Sequence, residues 1–108
     1  LADATGFMFS AEQDGRRAVM GDEMPARGGA NFTVTLPPTA REMKPTVHLI
    51  KDGIQIGVLE SHDGTARFAD RGPGVYRIEV RTEIPTFLGP DRKAVWIYSN
   101  PIYLRGQG

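Results

Sequence analysis

Apolar and polar residues alternate with a period of two along most of this chain, and turn dipeptides break the alternation at short intervals. That is the pattern of half-buried strands in an all-β sandwich or barrel, and no stretch sustains a helical period. The clearest alternation lies in Gly74–Thr82, with Tyr76, Ile78 and Val80 on one face and Arg77, Glu79 and Arg81 on the other. Ala30–Leu36 places Phe32, Val34 and Leu36 against Asn31, Thr33 and Thr35, and Pro37-Pro38 ends it. Gly6–Glu12 and Arg16–Met20 flank Asp14-Gly15, and Thr46–Lys51 and Ile54–Glu60 flank Asp52-Gly53. Asp-Gly supplies the positive φ angles of a type I′ turn, so the second pair predicts a hairpin strongly. A further turn at Asp63-Gly64 leads into Thr65–Ala69. Only Pro38–Lys44 offers a helical rival, and it has room for one turn.

The last strand, Ala94–Leu104, is apolar on both faces and then broken by Ser99-Asn100-Pro101. Val95 and Ile97 alternate with Trp96 and Tyr98, so one pair faces away from the core. Pro101 has no N–H to give to a ladder, which places it at a sheet edge or a bulge. The break is expected to shift the parity of inward residues between Ile97 and Ile102. On an edge placement, Pro101→Val leaves stability nearly unchanged but lengthens a sticky edge and promotes self-association.

Together these segments predict one domain over residues 1–108, an all-β, immunoglobulin-like antiparallel sandwich of seven or eight strands. Its expected core is Phe32, Val34, Leu36, Val47, Leu49, Ile56, Val58, Phe68, Tyr76, Ile78 and Val80. In such sandwiches a tyrosine near the start of the sixth strand turns its hydroxyl back onto the upstream loop. Tyr76, after Asp70 and Gly72, fits that corner; the plainer reading is an ordinary strand tyrosine.

Composition narrows the function. Thirteen basic and 13 acidic residues cancel, which leaves no electrostatic footprint for nucleic acid or an anionic membrane. No apolar run approaches the roughly 20 residues that span a bilayer as a helix. Cysteine is absent, and with it disulfides and thiolate chemistry. His48 lies in an apolar strand and His62 in a turn, without the converging ligands a metal site needs. Asp22, Glu23, Asp63 and Asp70 sit in or near turns, where local backbone bonding accounts for them. The glycine-rich stretches at Gly28-Gly29 and Gly72-Pro73-Gly74 lack a P-loop ending, and no serine lies in a nucleophile elbow. No catalytic residue, cofactor site or metal site is therefore assigned, and the chain is read as a non-enzyme.

The aromatic residues hold the remaining functional signal. Phe87, Trp96, Tyr98 and Tyr103 form either part of the core or a contact surface for another domain or a sugar.

Three stretches also carry a family resemblance. They are Phe9-Ser10-Ala11-Glu12 with Met20-Gly21-Asp22-Glu23, the Leu49–Gly53 hairpin, and Gly74–Val80 followed by Trp96-Ile97-Tyr98-Ser99-Asn100-Pro101-Ile102-Tyr103. The chain resembles the C-terminal immunoglobulin-like β-sandwich of bacterial PHP-type (polymerase and histidinol phosphatase) metal-dependent hydrolases, most specifically at Tyr98–Tyr103. In that family a separate N-terminal barrel holds the metals that activate water for phosphoester cleavage. The resemblance thus implies a non-catalytic accessory domain excised from the C-terminal end of a longer protein, with the catalytic domain of the same polypeptide as its partner. None of the family's metal ligands maps onto this sequence. The alternative reading is an independent carbohydrate-binding or other ligand-binding module using outward Trp96 or Tyr98 with Phe87, beside Asn100, Arg92 and Lys93.

Overall fold

The computed structural model describes residues 5–26, 28–38, 45–84 and 92–106; for 83–84 and 92–96 it describes the backbone alone. Among the described residues ten strands run in chain order: β1 Met8–Gln13, β2 Arg16–Val19, β3 Glu23–Pro25, β4 Ala30–Thr35, β5 Thr46–Lys51, β6 Ile54–Glu60, β7 Thr65–Asp70, β8 Gly74–Ile84, β9 Arg92–Tyr98 and β10 Ile102–Arg105. They form a smaller sheet, β2-β1-β4-β7, and a larger one, β3-β10-β8-β5-β6, with β9 also on β8. Every pairing is antiparallel except β3 with β10. The architecture is the antiparallel-rich β-sandwich that the alternation predicts. The count rises from eight to ten because β3 is new and the closing strand divides into β9 and β10.

Turn chemistry shapes all three Asp-Gly sites alike. Asp14, Asp52 and Asp63 have φ of 45°, 51° and 52°, and their glycines 80°, 83° and 77°. Two consecutive positive φ angles match the right-handed twist of the flanking strands, which ordinary turns would splay apart. The third site joins His62 to Thr65 in a two-residue bridge that hands the chain from the larger sheet to the smaller.

Inward residues of both sheets meet in a single core. Phe9 and Phe32 of the smaller sheet stack at 5.9 Å between ring centroids, and Phe32 meets Tyr76 of the larger sheet at 4.5 Å. Val34, Val47, Ile78 and Val80 are fully buried around them. Tyr76 forms the predicted corner, its hydroxyl donating to Asp70 Oδ2 at 2.8 Å with the Gly72 carbonyl 3.0 Å away. Lys51 Nζ donates to the same carboxylate at 2.9 Å and to the Arg71 carbonyl at 2.8 Å. The corner therefore joins β5, β7 and β8 through one carboxylate.

Two expected core residues fall outside the core. Ile56 and Val58 are each 44 % exposed, because β6 is an edge strand with no neighbour beyond it among the described residues. A bulge opposite Leu49/Ile50 makes Ile56 the extra residue, so Gly57, and not Ile56, lies opposite inward Leu49. Gly57 leaves room for the Phe68 ring, since a Cβ there would come within 3.1 Å of two ring carbons. Phe68 is only partly buried, packed against the rest of the core.

The broken closing strand behaves as predicted in one respect and differently in another. Tyr98 pairs with Glu79 and Ile102 with Tyr76, so three residues of the closing segment oppose two of β8. Inward parity accordingly passes from odd Ile97 to even Ile102 and Leu104, all buried. Ser99 mends the ladder at the break. Its N–H donates to the Ile78 carbonyl at 2.9 Å, and its Oγ accepts the Ile78 N–H at 2.8 Å. Removing that acceptor leaves a buried amide unpaired, so Ser99→Ala should cost roughly 1–3 kcal/mol in urea unfolding; an unchanged midpoint would show that the hydroxyl is dispensable.

The edge placement of Pro101 does not hold. Gly21 N–H donates to the Pro101 carbonyl at 2.6 Å, and Tyr103 N–H donates to Asp22 O at 3.0 Å. Strand β10 thus lies between β8 and β3. Replacing Pro101 exposes no new edge, and the expected gain in self-association loses its basis.

Candidate functional site

The outer face of the larger sheet carries two of the aromatic residues that the sequence singles out, Tyr98 and Tyr103. Backbone register sets Val58, His48, Glu79 and Tyr98 side by side across β6, β5, β8 and β9. Four residues along β8, Val75 pairs with Tyr103 of β10. Glu79 and Val75 share a face, so Tyr98 and Tyr103 lie on one surface about 13 Å apart along the strand direction.

The two tyrosines differ in availability. Ile97 is buried and Tyr98 is 72 % exposed, which settles which way residue 98 points. Tyr103 is half-buried, and the Arg105 guanidinium lies 4.6 Å from its ring centroid. That cation is itself tied to Glu23 at 3.1 Å. Tyr103 is thereby engaged within the domain, while Tyr98 presents a flat ring to solvent. Trp96 is the extra residue of a bulge between the Val80–Ile97 and Arg81–Val95 pairs, and only its backbone is described. Phe87 lies outside the described residues.

Around Tyr98 the face is polar and locked. His48 is buried, with Nδ1 2.8 Å from Gln55 Oε1 and Nε2 2.9 Å from Thr46 Oγ1. The Gln55 amide oxygen and the Thr46 hydroxyl thus give both ring nitrogens a partner. Glu79 takes a hydrogen bond from Arg81 Nη2 at 2.8 Å. His48 is thus a satisfied strand-face histidine. His62 is fully in solvent, 3.7 Å from Asp63. Among the described residues no group of three or more His, Asp or Glu side chains is placed to hold a metal ion.

A second feature escaped the sequence reading. An open cleft of about 1050 Å³ lies at one end of the smaller sheet, lined by Glu12, Arg16, Arg17, Asn31, Asp70 and Arg71 among others. Gly28 and Gly29 of the loop into β4 form part of its wall. Gln13 Nε2 donates to the Pro25 and Gly29 carbonyls at 2.8 and 2.9 Å. Gly29 has φ +95° and sits so near the Asp70 carbonyl that a Cβ would lie 2.5 Å from it. Acidic and basic groups alternate on its walls, and Asp70 is already occupied by the corner. Burial pushes the Asp70 carboxyl up, but the bonds from Lys51 and Tyr76 outweigh it and hold the group below its ordinary value. The cleft offers polar and charged contacts.

Comparison with protein-family models, with curated proteins and with solved structures gives no match to this chain.

Proposed function

We propose that this chain is a non-catalytic accessory domain that docks on the catalytic part of a PHP-type metal-dependent phosphoesterase. The observation that carries the docking role is Tyr98, an aromatic side chain 72 % exposed on the sheet's outer face. Tyrosine ranks among the residues most enriched at interface hot spots, where one buried ring contributes more than 1 kcal/mol. The stretch that resembles the PHP-associated sandwich most specifically, Tyr98–Tyr103, begins at this ring and crosses the same face. The phosphoesterase context rests on that resemblance.

The test has two stages. The coding sequence upstream of Leu1 should encode a barrel-sized region with metal-binding histidines; a reading frame that opens at Leu1 would overturn the proposal. In the full-length protein, Tyr98→Asp should then loosen the docked pair and speed proteolysis between the domains about tenfold. The same substitution should shift the stability of the isolated domain by no more than about 0.5 kcal/mol, as an exposed position allows. Unchanged proteolysis would remove Tyr98 from the interface.

Exposure of Tyr98 beside exposed Asn100 also supports the second reading, a sugar-stacking site. Glycan-array binding that disappears in Tyr98→Ala would favour it, and absence of binding to every glycan would set it aside.

A further inference from the structure

The sheet edges are not protected alike. Strand β2 carries exposed Arg16 and Arg17, and β7 carries exposed Arg67. Strand β3 has three residues and ends in Pro25, and β9 begins with Arg92-Lys93 and contains a bulge. Charges, prolines, shortness and bulges are the devices that keep strands from pairing with foreign chains. Strand β6, Ile-Gln-Ile-Gly-Val-Leu-Glu, is seven residues long and uncharged up to Glu60. Its one device is the bulge at Ile56, which leaves the ladder from Gly57 to Glu60 regular. Along it Ile56, Val58 and Leu59 are 40–44 % exposed.

We propose that β6 pairs with β6 of a second copy, antiparallel about a two-fold axis at Val58, and joins the two larger sheets into one. An exposed strand edge presents main-chain donors and acceptors, which another strand satisfies in full. In this register Val58 meets its own mate on the outer face. Leu59 of each copy lies beside Gly57 of the other, on the inner side where Phe68 packs against the missing side chain. Ile56 stands beside the second copy's Glu60. The two Glu60 carboxylates end up four residues apart, about 13 Å, beyond the screening length of about 8 Å at physiological salt. The chain's net charge is zero, so no overall repulsion opposes two copies meeting. A regular ladder of three residues, Gly57–Leu59, is short, roughly 10 Å long, which puts the interface in the small, weak class.

Sedimentation velocity and hydrogen exchange test this directly. The chain should be monomeric at about 1 μM and substantially dimeric by about 1 mM, with β6 amides gaining protection as the dimer forms. Val58→Lys places two like charges on the axis and should weaken dimerisation at least tenfold, while Leu59→Lys acts independently from the inner side. Tyr98→Ala should leave the dimer intact. A wild-type chain still monomeric at about 1 mM overturns the proposal. So does a dimer that survives both lysine variants, or one that Tyr98→Ala abolishes. Pairing of β6 with a strand of a different protein, in a chain that does not self-associate, overturns it equally.

Discussion

Phe32→Ala should lower the unfolding free energy by about 3–5 kcal/mol. Phe32 is fully buried, and its ring bridges Phe9 on the neighbouring strand and Tyr76 on the opposite sheet. Truncation removes apolar area from the core and leaves a cavity between rings that the backbone ladders hold apart. It also forfeits two aromatic contacts, each contributing roughly 0.5–1.5 kcal/mol beyond burial. Urea denaturation reads the effect as a lower midpoint at an unchanged slope. A loss below about 1 kcal/mol would mean that the sheets close over the gap and that the ring stack is not central.

Asp70→Ala should cost roughly 2–4 kcal/mol, because one carboxylate accepts from both Lys51 and Tyr76. Its loss leaves Lys51 with the Arg71 carbonyl and Tyr76 with the Gly72 carbonyl as the short contacts at the corner. The corner also fixes how stability follows pH. The folded Asp70 carboxyl lies below 3.8, so its contribution is complete above that value and disappears as pH falls through the folded pKa. The hydrogen bond to Asp70, followed by that to Tyr76, raises Lys51 above 10.5, so its contribution persists below 10.5 and is lost at higher pH. Burial first, and the bond to Asp70 second, push Tyr76 up to about 12 from 10.0. The unfolded chain ionises that phenol from pH 10 upward while the folded chain keeps the proton until about 12. Stability therefore falls across this window by roughly 2–3 kcal/mol. Tyr76→Phe should flatten this part of the alkaline limb; an equally steep limb in the variant would assign it to other groups.

Much of this corner was legible in the sequence. Gly72, Gly74 and Tyr76 have the spacing of a strand that begins just after a tight loop, and the tyrosine's place at the start of that strand suggested its hydroxyl partner upstream. The Asp-Gly turns were equally plain, because few dipeptides accept two positive φ angles. Lys51 was not anticipated. Its approach depends on β5 lying beside β8, a long-range pairing that no local pattern encodes.

The errors have equally local causes. Ile56 and Val58 read as one inward face when counted by twos. The bulge shifts that count: Ile54 lies opposite Lys51, Val58 opposite outward His48, and Ile56 has no counterpart. Alternation also cannot tell an edge strand from a central one, and burial depends on that difference. Glu23-Met24-Pro25 was missed because three residues are too few to show a period. Its only inward signal is Met24, buried beside a strand some 80 positions later. The candidate surface was half visible. Strand parity suggested an outward aromatic or aliphatic pair, but the bulge at Trp96 sets Val95 opposite Arg81 and Ile97 opposite inward Val80, so the expected pairs do not hold together. The polar cleft arises from loops meeting in space and had no sequence signature.

The pairing of β3 with β10 has a consequence for how the chain is made. Tyr103 aligns with Glu23, Leu104 with Met24 and Arg105 with Pro25, so nearly the whole chain separates the two partners. Synthesis runs from the N-terminus, and Glu23–Pro25 emerge long before their partners exist. Until Ile102–Arg105 are released, the ladder of β8 also stays open along Gly74–Tyr76. A nascent chain therefore holds two unpaired backbone segments until Ile102–Arg105 have left the ribosome, and the sandwich closes only once they have.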